Sequence, residues 1–105
     1  MFIYQVTIGI KKEVASEWVK WMEQTHLQDV MNTGSFLSHK FYKIIIPSGT
    51  SDEVNYVVQY KFSALKEYEF YQLNYAAKLQ KEHSDKFKGK FHAARAVFEE
   101  VNEQY

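Results

Sequence analysis

Apolar and polar positions alternate over residues 2–10. Phe2, Tyr4, Val6, Ile8 and Ile10 share one face, and Ile3, Gln5, Thr7 and Gly9 share the other. That two-residue period predicts a strand. Lys11 and Lys12 turn the chain into a helical stripe, with Glu13 in the first turn, where the helix dipole favours an acid. Gly34 stands where a C′ glycine would end that helix. A second alternating run, from about residue 36 to 46, predicts strand two, broken by Pro47-Ser48-Gly49. Strand three follows, with Val54, Tyr56, Val58, Tyr60 and Phe62 on one side. Ser63 is the predicted N-cap of a second helix reaching about His83. Residues 84–89 add a turn or a bent extension, 91–101 read as strand four, and 102–105 as a tail.

The order strand–helix–strand–strand–helix–strand predicts an α+β fold of the ferredoxin-like βαββαβ plan. Its four-stranded antiparallel sheet carries two helices on one face, with strands one and three central. Residues 1–105 form one domain, since a chain of 105 residues has the size of a single core. Strand two departs from clean alternation. Leu37, Phe41 and Ile45 alternate with Phe36, Tyr42, Ile44 and Ile46, so both sides are apolar. A strand of that kind needs cover on both faces, and a lone domain leaves one sheet face open. A homodimer is therefore expected, with strand two and part of the open face at the contact. The alternative is a monomer with scattered exposed apolar residues.

Helix one holds the main functional clue. At about 3.6 residues per turn, Val14, Trp18, Trp21 and Met22 form one stripe. Leu27, Val30 and Met31 form another, nearly opposite. A straight helix cannot bury both against one sheet, so either it breaks near His26 or its far end meets a second surface. Thr25, His26 and Asp29 continue the first stripe across the change of phase. His26 and Asp29 are the candidate catalytic pair: a histidine as general base, oriented by a carboxylate three residues on. Alternatively, Asp29 caps a second short helix and His26 satisfies a local carbonyl. The candidate ligand-binding residues are Trp18, Trp21, Tyr56, Tyr60 and Glu69. The two indoles would wall a pocket for a flat ligand, although at this spacing they serve equally as core. In helix two, Leu65, Tyr68, Ala76 and Leu79 face the sheet, while Glu69, Gln72 and His83 lie on or beside that stripe. Glu69 either reaches out to solvent or forms a second polar group in a helix–sheet cavity. His39 and His92 fall on predicted edge strands as surface residues. Arg95 shares a sheet face with Ala93 and Val97; buried, it would need a carboxylate or a ligand anion, and an ion pair across the dimer is the plain reading.

Composition narrows the chemistry. Eight Phe, eight Tyr and two Trp suit a core with a partly wet lining, an interface, or both. Acidic and basic residues balance at 13 each, so no net field draws nucleic acid or an anionic membrane surface. The absence of cysteine excludes disulfides, thiolate catalysis and cysteine metal sites. No Gly-rich phosphate loop, nucleophile elbow or zinc-helix histidine pair is present. Glu23-Gln24-Thr25-His26 matches the Glu-x-x-His of di-iron bundles once only, on another fold. No cofactor and no metal are expected, and no nucleic-acid partner, since no RNP1-like segment accompanies Tyr56 and Tyr60. The start of the chain enters a strand at once, and the longest aliphatic run, Ile44-Ile45-Ile46, is far below the ~20 residues of a membrane span. A soluble cytoplasmic protein is the expectation.

These residues resemble a family of small bacterial proteins of unknown function related to the dimeric α/β-barrel superfamily, over nearly the whole length. The resemblance rests on Ile3-Tyr4-Gln5-Val6-Thr7, Trp18-Val19-Lys20-Trp21-Met22, His26-Leu27-Gln28-Asp29-Val30 and Thr33-Gly34-Ser35-Phe36. It continues in Val58-Gln59-Tyr60, Tyr71-Gln72 and Lys90-Phe91-His92-Ala93-Ala94-Arg95. The helix-one block is its specific part. Relatives often carry proline after the His-Leu pair, where this chain has Gln28. The family has no established activity, so the resemblance assigns no catalytic role. The wider superfamily includes cofactor-independent monooxygenases, haem-handling enzymes and small-molecule sensors, an analogy of fold. Three functions stay open. The first is a protein binding a small apolar or aromatic molecule between helix one and the sheet. The second is a cofactor-independent monooxygenase- or isomerase-like enzyme using the same pocket. The third is a purely structural or interaction dimer, which needs no cavity.

Overall fold

The structure, a computed structural model, describes residues 1–104. The chain runs through β1 (Phe2–Lys11), helix one, β2 (Ser38–Lys43), β3 (Glu53–Phe62), helix two and β4 (Phe91–Glu99). The strands form one antiparallel sheet in the order β2-β3-β1-β4. The two long alternating strands are central, as their pattern predicts. Tyr4 lies opposite Tyr60 and Val97, Val6 opposite Val58 and Arg95, and Ile8 opposite Tyr56 and Ala93. That register puts the apolar sets of β1 and β3 on the face that the helices cover. Tyr4, Ile8, Ile10, Val58, Tyr60 and Phe62 are buried there.

Neither helix is uniform. Helix one comprises α1 (Lys12–Trp21), a π-helical turn (Met22–His26) and α2 (Leu27–Met31). Helix two comprises α3 (Leu65–Tyr71), a π-helical turn (Gln72–Ala76) and α4 (Ala77–Lys86). Each π turn holds one residue more than an α turn, so the face it presents steps by five positions instead of four. In helix one the buried residues run Ala15, Trp18, Met22, Leu27 and Val30; in helix two they run Tyr71, Ala76, Leu79 and His83, with Phe87 buried at its C-cap. The long steps, Met22 to Leu27 and Tyr71 to Ala76, span the π turns. This resolves the two opposed stripes of helix one: the extra residue rotates the second stripe back onto the sheet.

Several boundaries differ from the sequence reading. Strand two is shorter, because Phe36 precedes it as a core residue, while Ile45 and Ile46 follow it exposed. Its two apolar sides separate as expected, with the Phe41 ring 5.7 Å from Trp18 and Tyr42 exposed on the opposite face. Ser63 does not cap helix two. The N-cap is Ala64, in extended conformation and with no side-chain cap bond. Leu65, expected to face the sheet, is exposed. Helix one ends at Met31 with Asn32 as its C-cap, so Gly34 lies one position beyond C′, at a φ of 78° that suits glycine.

The face away from the helices is mixed. Ile3, Val57, Ala94, Ala96 and Phe98 share it with Gln5 and Gln59, whose amides hydrogen-bond across the strands at 2.9 Å. His92 also lies on this side, paired with Glu53 at 3.0 Å.

Candidate functional site

Beneath the two π turns, helices and sheet do not close. A cavity of about 40 Å³ remains, lined from the sheet by Tyr4, Val6, Ile8, Val58, Tyr60, Phe91, Ala93 and Arg95. The helices contribute Met22, His26, Tyr71, Gln80 and His83. Sequence patterning explains the position. Ala93 is the smallest residue on the helix-facing side of β4, and Arg95, two positions on, carries its charge to the exposed side of the cavity. The space admits about three waters, so it takes the head of a small molecule and not a whole flat ring.

Two imidazoles meet here, with ring centroids 5.6 Å apart. His83 accepts a hydrogen bond at 2.9 Å from the indole N–H of Trp18 to its Nε2. An indole can only donate, so the neutral His83 ring carries its proton on Nδ1. His26 stacks on Trp21 at 5.2 Å. Its Nδ1 is the one buried side-chain nitrogen or oxygen without a hydrogen-bond partner among the described residues. Burial holds both rings neutral. His26 is pushed down to about 4 by desolvation, against a smaller upward pull from Asp29, with the Arg95 charge adding a still weaker downward push. His83 is pushed down to about 4 by desolvation, then by His26 and Arg95. The tyrosines answer burial in the opposite sense. Desolvation raises Tyr4, Tyr60 and Tyr71, so their hydroxyls stay protonated. The Arg95 charge acts on the Tyr4 hydroxyl in the lowering direction, more weakly than burial raises it.

The predicted site residues divide. His26 and Tyr60 line the cavity. Asp29 does not: it lies in a shallow outer groove with Asn32, Thr33, Tyr75, Lys78, Leu79 and Glu82. It is close enough to raise His26 electrostatically, but no hydrogen bond between the two occurs among the described residues. The π turn is the reason, because it ends at His26 and so rotates Asp29 out of the line of the first stripe. Thr25 is exposed for the same reason. Trp18 is completely buried and belongs to the core, packed on Phe41 and Tyr56. Trp21 lies one layer behind the cavity, against His26, His83 and Phe87. Tyr56 packs on Trp18, outside the lining. Glu69 is exposed, on the outer side of α3, so it is not a cavity residue.

The patterning missed Tyr4, Tyr71, Gln80 and the inward use of Arg95. For Arg95 a signal existed, since it shares a face with Ala93. His83 carried one too, as a polar residue on a buried stripe. Gln80 carried none. Among the described residues no group of three or more His, Asp or Glu is placed to hold a metal ion, and no helix is long and apolar enough to cross a membrane.

Known structures share this architecture. A dimeric ferredoxin-like protein from an uncultured marine organism superposes with a TM-score of 0.70 at 13% identity, covering 100% of this chain and 99% of the other. HapK from Hahella chejuensis gives 0.70 at 10% identity, covering 100% and 97%. A monooxygenase from Streptomyces coelicolor, in complex with the ligand Nanaomycin D, gives 0.61 at 15% identity, covering 99% and 92%. At these identities the likeness is one of fold. None of the curated proteins matches this sequence. The match that decides membership spans residues 1–101, and by it the chain belongs to the family described as Domain of unknown function (DUF4286).

Proposed function

We propose that this protein binds a small molecule between its helices and its sheet, as a homodimer joined through the open sheet face. The observation that carries the reading is the polar lining of the cavity. A core built only for stability would fill this space with aliphatic side chains. Here it collects three tyrosine hydroxyls, two neutral imidazoles and an amide, with an arginine at its exposed side. Such a lining suits a ligand whose polar head enters and whose apolar or aromatic body extends past Arg95. The monooxygenase of like fold, bound to its ligand, lends this an analogy and no more.

Binding is preferred to catalysis because of His26. A general base works best with a pKa near the operating pH, and this imidazole is pushed down to about 4. The enzyme reading keeps one support, the buried Nδ1 of His26 that nothing among the described residues satisfies. His26→Ala separates the two: lost turnover with retained binding would indicate a cofactor-independent enzyme. For the dimer, Ile3, Val57, Ala94, Ala96 and Phe98 offer an apolar patch on the open face, with Phe98 45% exposed.

Thermal melts with phenol, benzyl alcohol and benzamide, each a neutral polar head on an aromatic body, test the binding reading. At least one should raise the melting temperature and alter the fluorescence of Trp21, and Ala93→Leu, which fills the cavity, should abolish both responses. If none responds and Ala93→Leu is stabilising on its own, the cavity is a packing void and the reading fails. Light scattering at micromolar concentration tests the assembly. A monomeric mass of 12.5 kDa would refute the dimer.

A further inference from the structure

The donors and acceptors around the cavity are unequal, and the imbalance specifies the ligand's head. No aspartate or glutamate is among the lining residues. Arg95 offers a fork of N–H groups and cannot accept. His83 must keep its proton on Nδ1, because its Nε2 already accepts from Trp18. The Tyr4 hydroxyl stays protonated, so it has a hydrogen to donate as well as an oxygen that accepts. Tyr60 and Tyr71 keep theirs as well. A guest in this space meets more donors than acceptors, the acceptors being Gln80 Oε1, one His26 nitrogen and the tyrosine oxygens, together with one full positive charge; within ion-pair distance of Arg95 there is no acidic side chain among the described residues.

Resting on the binding reading above, we infer that the ligand is a small organic carboxylate, seated head first with its oxygens on Arg95 and the tyrosine hydroxyls. A carboxylate supplies acceptors only, matches the planar guanidinium in a paired geometry and balances its charge. The volume agrees. About 40 Å³ takes roughly three water-sized groups, which is a carboxylate and its α-carbon. Val6, Ile8 and Val58 supply apolar wall for that carbon. The substituent beyond it leaves toward solvent and carries the remaining specificity.

Isothermal titration of the full chain with propionate, propionamide and propylamine tests this. These probes share a body and differ in the charge of the head. Propionate should bind with a dissociation constant of about 1 mM, at least about ten-fold tighter than propionamide, and propylamine should not bind. Arg95→Gln should erase the preference for propionate, and Arg95→Lys should keep it in weakened form, since charge survives while the fork is lost. Ala93→Leu should remove binding of both propionate and propionamide. Equal or tighter binding of propionamide, or an Arg95→Gln protein with its preference intact, would overturn the carboxylate assignment. If neither probe binds while a neutral aromatic does, the carboxylate falls and the binding reading survives. If no probe of any kind binds, both fall.

Discussion

The two histidines, His83 buried and His26 half-buried, share one cavity and the same depressed proton affinity, yet their surroundings differ in kind. His83 belongs to the closed part of the molecule. Its Nε2 is satisfied by Trp18, which is itself completely buried, and its ring packs edge-on against Phe91 at 4.4 Å. His26 belongs to the part left open. It stacks on Trp21 and has a buried Nδ1 with no partner among the described residues. A satisfied buried imidazole supports the fold, whereas an unsatisfied one costs stability. The first is a structural device. The second is where stability has been given up, and strained or unsatisfied groups of that kind gather at functional sites.

The contrast can be broken most forcefully at Trp18. Trp18→Ala should cost about 3–5 kcal/mol in urea denaturation, the range for large aromatic truncations, because it opens the core and strips His83 of its donor. Acid should come next. In the unfolded chain each imidazole takes a proton near pH 6.5, while in the fold it resists until about 4. The unfolded state therefore binds more protons in that window. Stability is full above about pH 6.5 and is lost as pH falls towards 4, by on the order of 3 kcal/mol per histidine. Denaturation midpoints taken through this range measure it; a flat profile would contradict burial of either ring.

Replacing each ring by leucine sharpens the comparison through opposite signs. His83→Leu should destabilise by about 1–3 kcal/mol, since the Trp18 N–H is left buried without an acceptor. His26→Leu should be neutral or stabilising by about 1 kcal/mol, since it removes a polar atom that has no partner. Both variants should lose part of the acid response. The smallest effect belongs to Glu69, an exposed candidate among those that the structure places outside the lining. Glu69→Ala should shift stability by less than about 0.5 kcal/mol and leave propionate binding unchanged.

Much of this was legible in the chain. Period two in residues 2–10 and 54–62 announced the central strands, and the opposed stripes of helix one announced either a break near His26 or a second surface at its far end, of which the π turn is the first. The irregularity of helix two was less visible, because its apolar coverage was broad enough to hide a step of five. Asp29 was misplaced by extrapolating an α-helical wheel through a π turn. Trp18 and Tyr56 were offered as ligand contacts because an aromatic stripe looks the same whether it lines a pocket or fills a core. Ser63 looked like a cap by residue type alone, but the helix starts two residues later.

By itself the sequence determined the order of elements, the central strands, the helix-facing side of the sheet and the place where helix one changes phase. These follow from short-range periodicity, which local backbone geometry imposes on every residue in turn. Only the tertiary structure decided that the phase is corrected by an inserted π turn, that Asp29 faces outward, and that Tyr4, Tyr71, Gln80, His83 and Arg95 converge on His26. Convergence depends on how two helices and three strands from distant parts of the chain pack together. A cavity is the space those elements fail to fill, and no single segment carries a record of it.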